Sequence, residues 1–209
     1  MSGPRLPIFS KWVYVLDMAK RYAITKWQRN LPNADSSKAA LFLPGKRYAF
    51  PLPGLIFPAL ALRDAGWTIW YADIDMVGLE DEEIRSLVNE ALAEMSAQAG
   101  AKQQLVVAKS IGSMGAKWTA ENSVPAVWFT PVLNDAQVVD DIKASTAPRL
   151  LIGGTSDSYW DTDAARSTGG EIVEVEGRDH SFLVRDWGSV LEDTGLVTEK
   201  IEEFVSKNC

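Results

Sequence analysis

The feature that most constrains the fold is an apolar run that stops abruptly at a serine. Residues 105–109 read LVVAK, a β-type segment, and Ser110 is followed by glycines and other small residues. A serine on so tight a turn requires small neighbours two positions before and after it, because a bulky Cβ would collide with the backbone. Ala108 and Gly112 meet this requirement. The pattern indicates a buried strand that passes a serine into a helix, although a βα turn with a surface serine is equally compatible with it.

Strand-like and helix-like segments alternate along the chain. Strands are predicted at 12–16, 22–27, 39–43, 67–72, 105–109, 124–130, 149–152 and 171–176. Helices are predicted at 54–65, 79–99, 110–121, 162–167 and from 195 onward. The first two strands are interpreted as a hairpin. The alternation predicts an α/β fold in a single domain spanning 1–209, with a mostly parallel eight-stranded sheet, an N-terminal antiparallel hairpin and helices on both faces.

Charge and cysteine content exclude several classes of protein. The formal net charge of -7 disfavours nucleic acid or an anionic membrane as a partner, because both require a basic face. The single cysteine is Cys209, so no internal disulfide can form. Neither a signal peptide nor a membrane-spanning segment is evident. We therefore expect a cytoplasmic protein with no nucleic-acid or membrane partner.

Three chemically reactive side chains fall at predicted strand ends, namely Ser110, Asp157 and His180. In a parallel sheet such ends gather at one edge, where binding sites form. A serine hydroxyl is too weak an acid to attack an ester unaided, so an imidazole must take its proton and a carboxylate must orient that imidazole. His180 is the only histidine in the chain. A lone histidine is otherwise more often structural, but the order serine, acid, histidine favours the catalytic interpretation.

Four segments resemble landmarks of the α/β-hydrolase superfamily, in particular its small, lid-poor members related to dienelactone hydrolases and carboxylesterases. They read LFLPG at 41–45, AKSIG at 108–112, IGGTSD at 152–157 and DHSF at 179–182. The resemblance covers nearly the whole chain and implies the α/β-hydrolase fold. It also implies that Ser110 is the nucleophile, Asp157 the orienting acid and His180 the general base. Only residues 132–148 separate two successive strands, so no large lid is expected.

The same resemblance implies an oxyanion hole made of two backbone N–H groups, one after the nucleophile and one in the loop after the third strand. These groups belong to Ile111 and Lys46. Arg47 is an alternative to Lys46, because Pro44 stands where the family usually has a histidine. The side chains of Arg47 and Trp160 are expected to bind substrate, whereas a solvated loop charge is the plainer interpretation of the arginine.

Other acids compete with Asp157 for the role beside the histidine. Asp161 and Asp163 follow it closely, and Asp157 is preferred because it comes first after the strand. Asp179 adjoins His180, but consecutive residues of an extended turn point their side chains apart. No glycine-rich phosphate loop or paired metal-ligand motif is present, so no cofactor or metal is expected.

The sequence thus predicts a serine hydrolase that cleaves a small carboxylic ester or thioester through an acyl-enzyme on Ser110. Dienelactone hydrolases carry a cysteine at this position, so the serine favours ordinary ester chemistry. Two alternatives stay open. A non-catalytic binding protein with the same fold is favoured by the unusual loop at 44–47 and by Lys109 beside the serine. An acyltransferase would use the same residues with an acceptor other than water.

Overall fold

A mostly parallel β-sheet forms the centre of the protein. The computed structural model describes residues 20–183 and 186–209, and within them the sheet has seven strands in the order β1-β3-β2-β4-β5-β6-β7. The strands are β1 Tyr22–Lys26, β2 Asp35–Leu43, β3 Trp67–Ile74, β4 Gln103–Lys109, β5 Ala126–Phe129, β6 Arg149–Gly154 and β7 Glu171–Val175. β1 runs antiparallel to β3, and the other neighbouring strands are parallel. The carboxyl ends of β2 to β7 therefore meet at one edge of the sheet.

Helices cover both faces of the sheet, because successive residues of a strand point to opposite sides. Leu41 and Leu43 of β2 belong to one apolar core, whereas Ala40 and Phe42 belong to the other. The helices are α1 Pro53–Asp64, α2 Asp81–Ala99, α3 Ala116–Asn122, α4 Ala136–Ala144, α5 Thr162–Ser167 and α6 Trp187–Asn208, and a 3-10 helix spans Ser110–Gly115. The first core includes side chains of α2 to α5, and the second includes side chains of α1 and α6. Within the described ranges, none of these helices combines the length and apolarity that crossing a bilayer requires.

Local sequence accounts for where the helices begin and end. The Glu83 carboxylate accepts the N–H of Glu80 at the start of α2, and Gly100 ends this helix with a left-handed φ of 57°. The acidic residues in the first turn also complement the helix dipole. Asp186 caps α6 by accepting the N–H of Ser189.

The predicted α/β architecture is confirmed, and seven of the eight predicted strands are present. The eighth, the expected hairpin partner of β1 at 12–16, lies outside the described residues, so the hairpin stays a prediction. β1 pairs with β3, in the register Tyr22 to Ile74. Pairing with β3 joins segments far apart in the chain, which local sequence patterns do not indicate. In addition, α6 begins at Trp187 rather than near 195, because the cap at Asp186 adds two turns that carry exposed apolar residues.

The exposed glycine at 195 offers a test of helix α6. An added Cβ on Gly195 would have no heavy atom within 4 Å. We expect Gly195→Ala to raise the free energy of unfolding by about 0.5–1 kcal/mol, because alanine loses less backbone entropy than glycine in a helix. Urea unfolding followed by circular dichroism measures the change. Gly153→Ala is the contrasting variant: its Cβ would overlap the Trp160 ring, so we expect a loss of about 1–3 kcal/mol. A destabilised Gly195→Ala protein would contradict this description of α6.

Candidate active site

Ser110 occupies the tight turn at the carboxyl end of β4. Its φ is 56°, in the left-handed region that a non-glycine residue seldom adopts. The turn presses against β2, since a Cβ on Gly112 would lie 3.1 Å from both Cβ and the carbonyl oxygen of Leu43. The same Cβ would lie 3.4 Å from that of Ala108. The small residues at 108 and 112 are therefore needed for close packing, and the turn presents the serine hydroxyl at the edge of the sheet.

Hydrogen bonds connect the serine, the histidine and one aspartate. Nε2 of His180 lies 2.6 Å from Oγ of Ser110, and Nδ1 of His180 lies 2.8 Å from Oδ2 of Asp157. An ionised carboxylate can only accept, so Nδ1 carries the ring proton and Nε2 is left to accept the serine hydroxyl. The structure therefore brings together the three side chains that the sequence singles out, in an arrangement suited to removing a proton from the serine.

The carboxylate of Asp157 is held on both oxygens. Its side chain is fully buried, and Oδ1 accepts the backbone N–H of Tyr159 at 2.8 Å. The Tyr159 ring also lies against the His180 imidazole, with 4.6 Å between ring centroids. These contacts fix the orientation of both the acid and the imidazole.

The other candidate acids have separate structural roles. Asp161 accepts the N–H of Ala164 as the cap of α5. Asp163 is exposed on the same helix. Asp179 accepts N–H groups within its own turn, from the two residues that follow His180. Asp157 is thus the acid that reaches the imidazole.

The loop after β2 lies directly against the serine. A Cβ on Gly45 would be 3.0 Å from Cβ of Ser110. Gly45 opens a turn that is closed by a 3.0 Å bond from the Tyr48 N–H to its carbonyl, and this bond does not use the N–H of Lys46. Ile111 lies in the first turn of the 3-10 helix, where N–H groups lack an acceptor within the helix. Ile111 is therefore the chain neighbour of the serine, and Lys46 follows the glycine that packs against it.

A cleft of about 900 Å³ adjoins this loop. Its walls come from the loop after β2, from the start of β1 and from the end of β3. Its apolar or aromatic side chains include Tyr22, Tyr48, Leu52, Ile74 and Met76. Its charged residues are Lys20, Arg21, Arg47, Asp73 and Asp75, and Gly45, which packs against Ser110, is also part of its wall. The cleft is large enough for a small organic molecule.

Trp160 lies beside β6. Its ring packs on Gly153 of β6, and its Nε1 donates to Glu174 at 2.7 Å. Among the described residues, those that line the cleft beside the loop after β2 include neither Trp160 nor Ser110 and His180, so substrate contact by Trp160 stays a prediction. Tyr159 is the aromatic residue that contacts the site. Its only sequence signal is its position two residues after Asp157, where an aspartate side chain commonly accepts a backbone N–H.

A buried lysine adjoins the site, and the sequence interpretation gave it no part in catalysis. Lys109 is 1% exposed. Its Nζ donates to Oγ1 of Thr130 at 2.6 Å and to the carbonyl oxygen of His180 at 2.8 Å. The same atom lies 4.7 Å from the ring centre of Tyr48 and 4.3 Å from that of Phe129. The ammonium thus has two oxygen acceptors and two aromatic faces.

Burial lowers the pKa of Lys109 to about 7, because the charged form loses its hydration. The carboxylates of Asp157 and Asp179 oppose this effect and favour the ammonium. The sequence shows that a lysine ends an apolar strand, but it does not show that the amine bonds Thr130 and His180.

Metal coordination has no candidate here. In the part of the chain that the structure describes, no three or more histidine, cysteine, aspartate or glutamate side chains form a group that could hold a metal ion.

Comparison with known proteins places the fold. No protein-family model matches the chain, and no curated protein matches its sequence. Solved structures do match. An alpha-beta serine hydrolase homologue from Coxiella burnetii has 15% identity and a TM-score of 0.64, over 86% of this chain and 90% of that one. Est1E from Butyrivibrio proteoclasticus has 13% identity and a TM-score of 0.65, over 88% and 94% of the two chains.

A third structure, XC6422 from Xanthomonas campestris, is described as an a/b serine hydrolase without lid. It has 14% identity and a TM-score of 0.61, over 88% of each chain. The expected absence of a large lid agrees with this likeness, and the link between β5 and β6 holds only the short α4. What is shared at this level of identity is the architecture: this chain has the α/β-hydrolase fold.

Proposed function

We propose that the protein is a serine hydrolase that cleaves a small carboxylic ester or thioester. The observation that carries the proposal is the pair of hydrogen bonds on His180, 2.6 Å to Ser110 and 2.8 Å to Asp157. A fully buried carboxylate, an imidazole and a serine in that order form a proton-transfer unit. The structural likeness to esterases and serine hydrolases supports the same reaction class.

The reaction proceeds in two acyl-transfer steps. Nε2 of His180 takes the proton of Ser110 while Oγ attacks the acyl carbon, and the Asp157 carboxylate stabilises the imidazolium that forms. The N–H groups of Ile111 and Lys46 hold the negative oxygen of the tetrahedral intermediate. His180 then protonates the departing alcohol or thiol, leaving the acyl group on Ser110. Water attacks this acyl-enzyme by the same route, with His180 as base, and releases the acid.

The cleft beside the loop after β2 is the proposed substrate site. Its apolar and aromatic side chains suit the body of a small acyl or alcohol group. Three cations line it: Lys20 and Arg21 form ion pairs with Glu94 and Asp75, and Arg47 is the third. Est1E has been solved with ferulic acid bound. Ferulate esters therefore belong among the test substrates, beside short aliphatic esters and thioesters.

Labelling by a fluorophosphonate tests the nucleophile. We expect the probe to modify the protein at Ser110 and nowhere else, because only this serine has an imidazole to take its proton. Intact-protein mass spectrometry and peptide mapping measure the label. Ser110→Ala should abolish labelling, and Ser156→Ala, which changes an exposed serine next to Asp157, should leave it unchanged. A wild-type protein that takes up no label would favour the non-catalytic binding protein.

Asparagine at position 157 tests the acid. Asp157→Asn replaces the acceptor on the His180 Nδ1 side with an amide, so the imidazole loses its tautomer control and its counter-charge. We expect kcat for an ester such as methyl ferulate to fall on the order of 10³- to 10⁴-fold. Asp161→Asn keeps a side chain that can cap α5 and should retain most of the activity. Equal losses in both variants would contradict the assignment of the acid.

Arg47 is tested with a matched pair of substrates, one ester carrying a free carboxylate and one without it. We expect Arg47→Gln to lower kcat/KM for the anionic ester by about two- to fivefold, the size of one exposed charge contact. The neutral ester should be unaffected. Lys102→Gln, a change of equal charge at the opposite end of the strands, controls for net charge. Equal effects on both esters would contradict a role of Arg47 in selecting the substrate.

Product analysis in the presence of alcohols separates hydrolysis from acyl transfer.

A further inference from the structure

The turn that carries His180 must be held from several sides if its imidazole is to stay in line. Asp179 accepts the N–H groups of Ser181 and Phe182 inside the turn. On one outer side, Arg178 forms an ion pair with Asp193 of α6. These contacts fix the residues before and after His180, and the carbonyl of His180 itself is held by Lys109 at 2.8 Å.

Lys109 joins three loops of the site through one atom. It ends β4 immediately before Ser110, and its Nζ bonds Thr130 after β5 and His180 after β7. The Tyr48 ring, from the loop that faces the serine, lies over the same Nζ. Thr130 is fully buried and has a left-handed φ of 47°, so this acceptor has little freedom to move. Lys109 therefore links the turn that carries Ser110 to the turn that carries His180.

Burying the Lys109 amine raises the free energy of the folded state, which would be unfavourable if the side chain had no role. An ammonium that leaves water must find acceptors or counter-charges, and an apolar residue of similar volume would avoid that cost. The titratable and charged groups around Nζ are Asp157 after β6, Asp179 and His180 after β7, and Tyr48 after β2. A lysine amine supplies what a methionine could not, a directed donor to the carbonyl oxygen of His180.

We propose that Lys109 is a positioning residue, whose buried amine holds the backbone of His180 so that the imidazole stays in line between Asp157 and Ser110. Its effect on rate rests on the proposed hydrolase function, whereas its effect on the imidazole can be measured without turnover. A lysine that only filled the core would stabilise the protein and leave the ring geometry unchanged. The two roles therefore differ in what happens to the histidine when the donor is removed.

The test uses the single histidine of the chain as a spectroscopic probe. Because His180 is the only histidine, its Nδ1 proton is identified in a ¹⁵N-labelled protein without further assignment. A proton shared with the Asp157 carboxylate resonates at low field. Lys109→Met removes the donor and keeps the bulk, and Lys109→Gln removes the charge and keeps an N–H donor. Lys117→Gln, on an exposed face of α3, is the control.

We expect the low-field resonance to move upfield or broaden in Lys109→Met, with kcat reduced about 100-fold and KM changed less than about threefold, because a displaced base slows chemistry more than binding. Lys109→Gln should lie between wild type and Lys109→Met in both measurements. The Lys117→Gln control should match wild type. A Lys109→Met protein with a wild-type resonance would overturn the proposal, and so would a glutamine variant as impaired as the methionine variant.

If Lys109→Met does not fold, Lys109→Gln decides alone: a low-field resonance shifted or broadened relative to wild type, together with a reduced kcat, supports the proposal, and wild-type values of both overturn it. Failure of the hydrolase proposal is distinguishable from failure of this one. A protein that never reacts with fluorophosphonate but shows the graded resonance loses only the proposed reaction. A reactive protein whose histidine resonance ignores position 109 loses only the role of Lys109.

Discussion

Everything in this site depends on one imidazole that is bonded on both nitrogens. His180 can bridge Ser110 and Asp157 only if three strands end at matching heights on the same edge of the sheet. Parallel pairing of β4 to β7 provides those heights, and the close approach of Gly45 to Ser110 provides the opposing wall. The two apolar cores keep the strands in register, so the geometry of the site depends on the packing of the sheet.

Much of this fold can be predicted from the sequence, because its strands and helices are specified by local patterns of apolar residues. Alternating apolar segments predict a parallel sheet, and a parallel sheet gathers Ser110, Asp157 and His180 whatever the details of the loops. Trp160 and Tyr159 show where this reasoning ends. They are consecutive, and which ring meets the imidazole depends on the turn that the Asp157 side chain forms with the Tyr159 N–H. The pairing of β1 with β3 also cannot be predicted from local sequence, because it joins segments that are distant in the chain.

The electrostatics beneath the histidine are unusual for a strand interior. One lysine faces two carboxylates: burial lowers its pKa to about 7, whereas the charges of Asp157 and Asp179 act in the opposite direction. A sequence shows a lysine inside an apolar run, but only the fold shows that its amine ends at the carbonyl of His180.

The ties on the histidine turn have a consequence for the order in which the protein is made. His180 follows Ser110 by 70 residues, and Arg178 in its turn is paired with Asp193 of α6. A ribosome therefore releases Ser110 well before His180, and the ion pair of Arg178 can form only once Asp193 of α6 has emerged. During that interval the nascent chain carries Ser110 without its hydrogen bond to His180. The hydrogen bond between His180 and Ser110 therefore forms late in synthesis, after all seven strands of the described sheet have emerged.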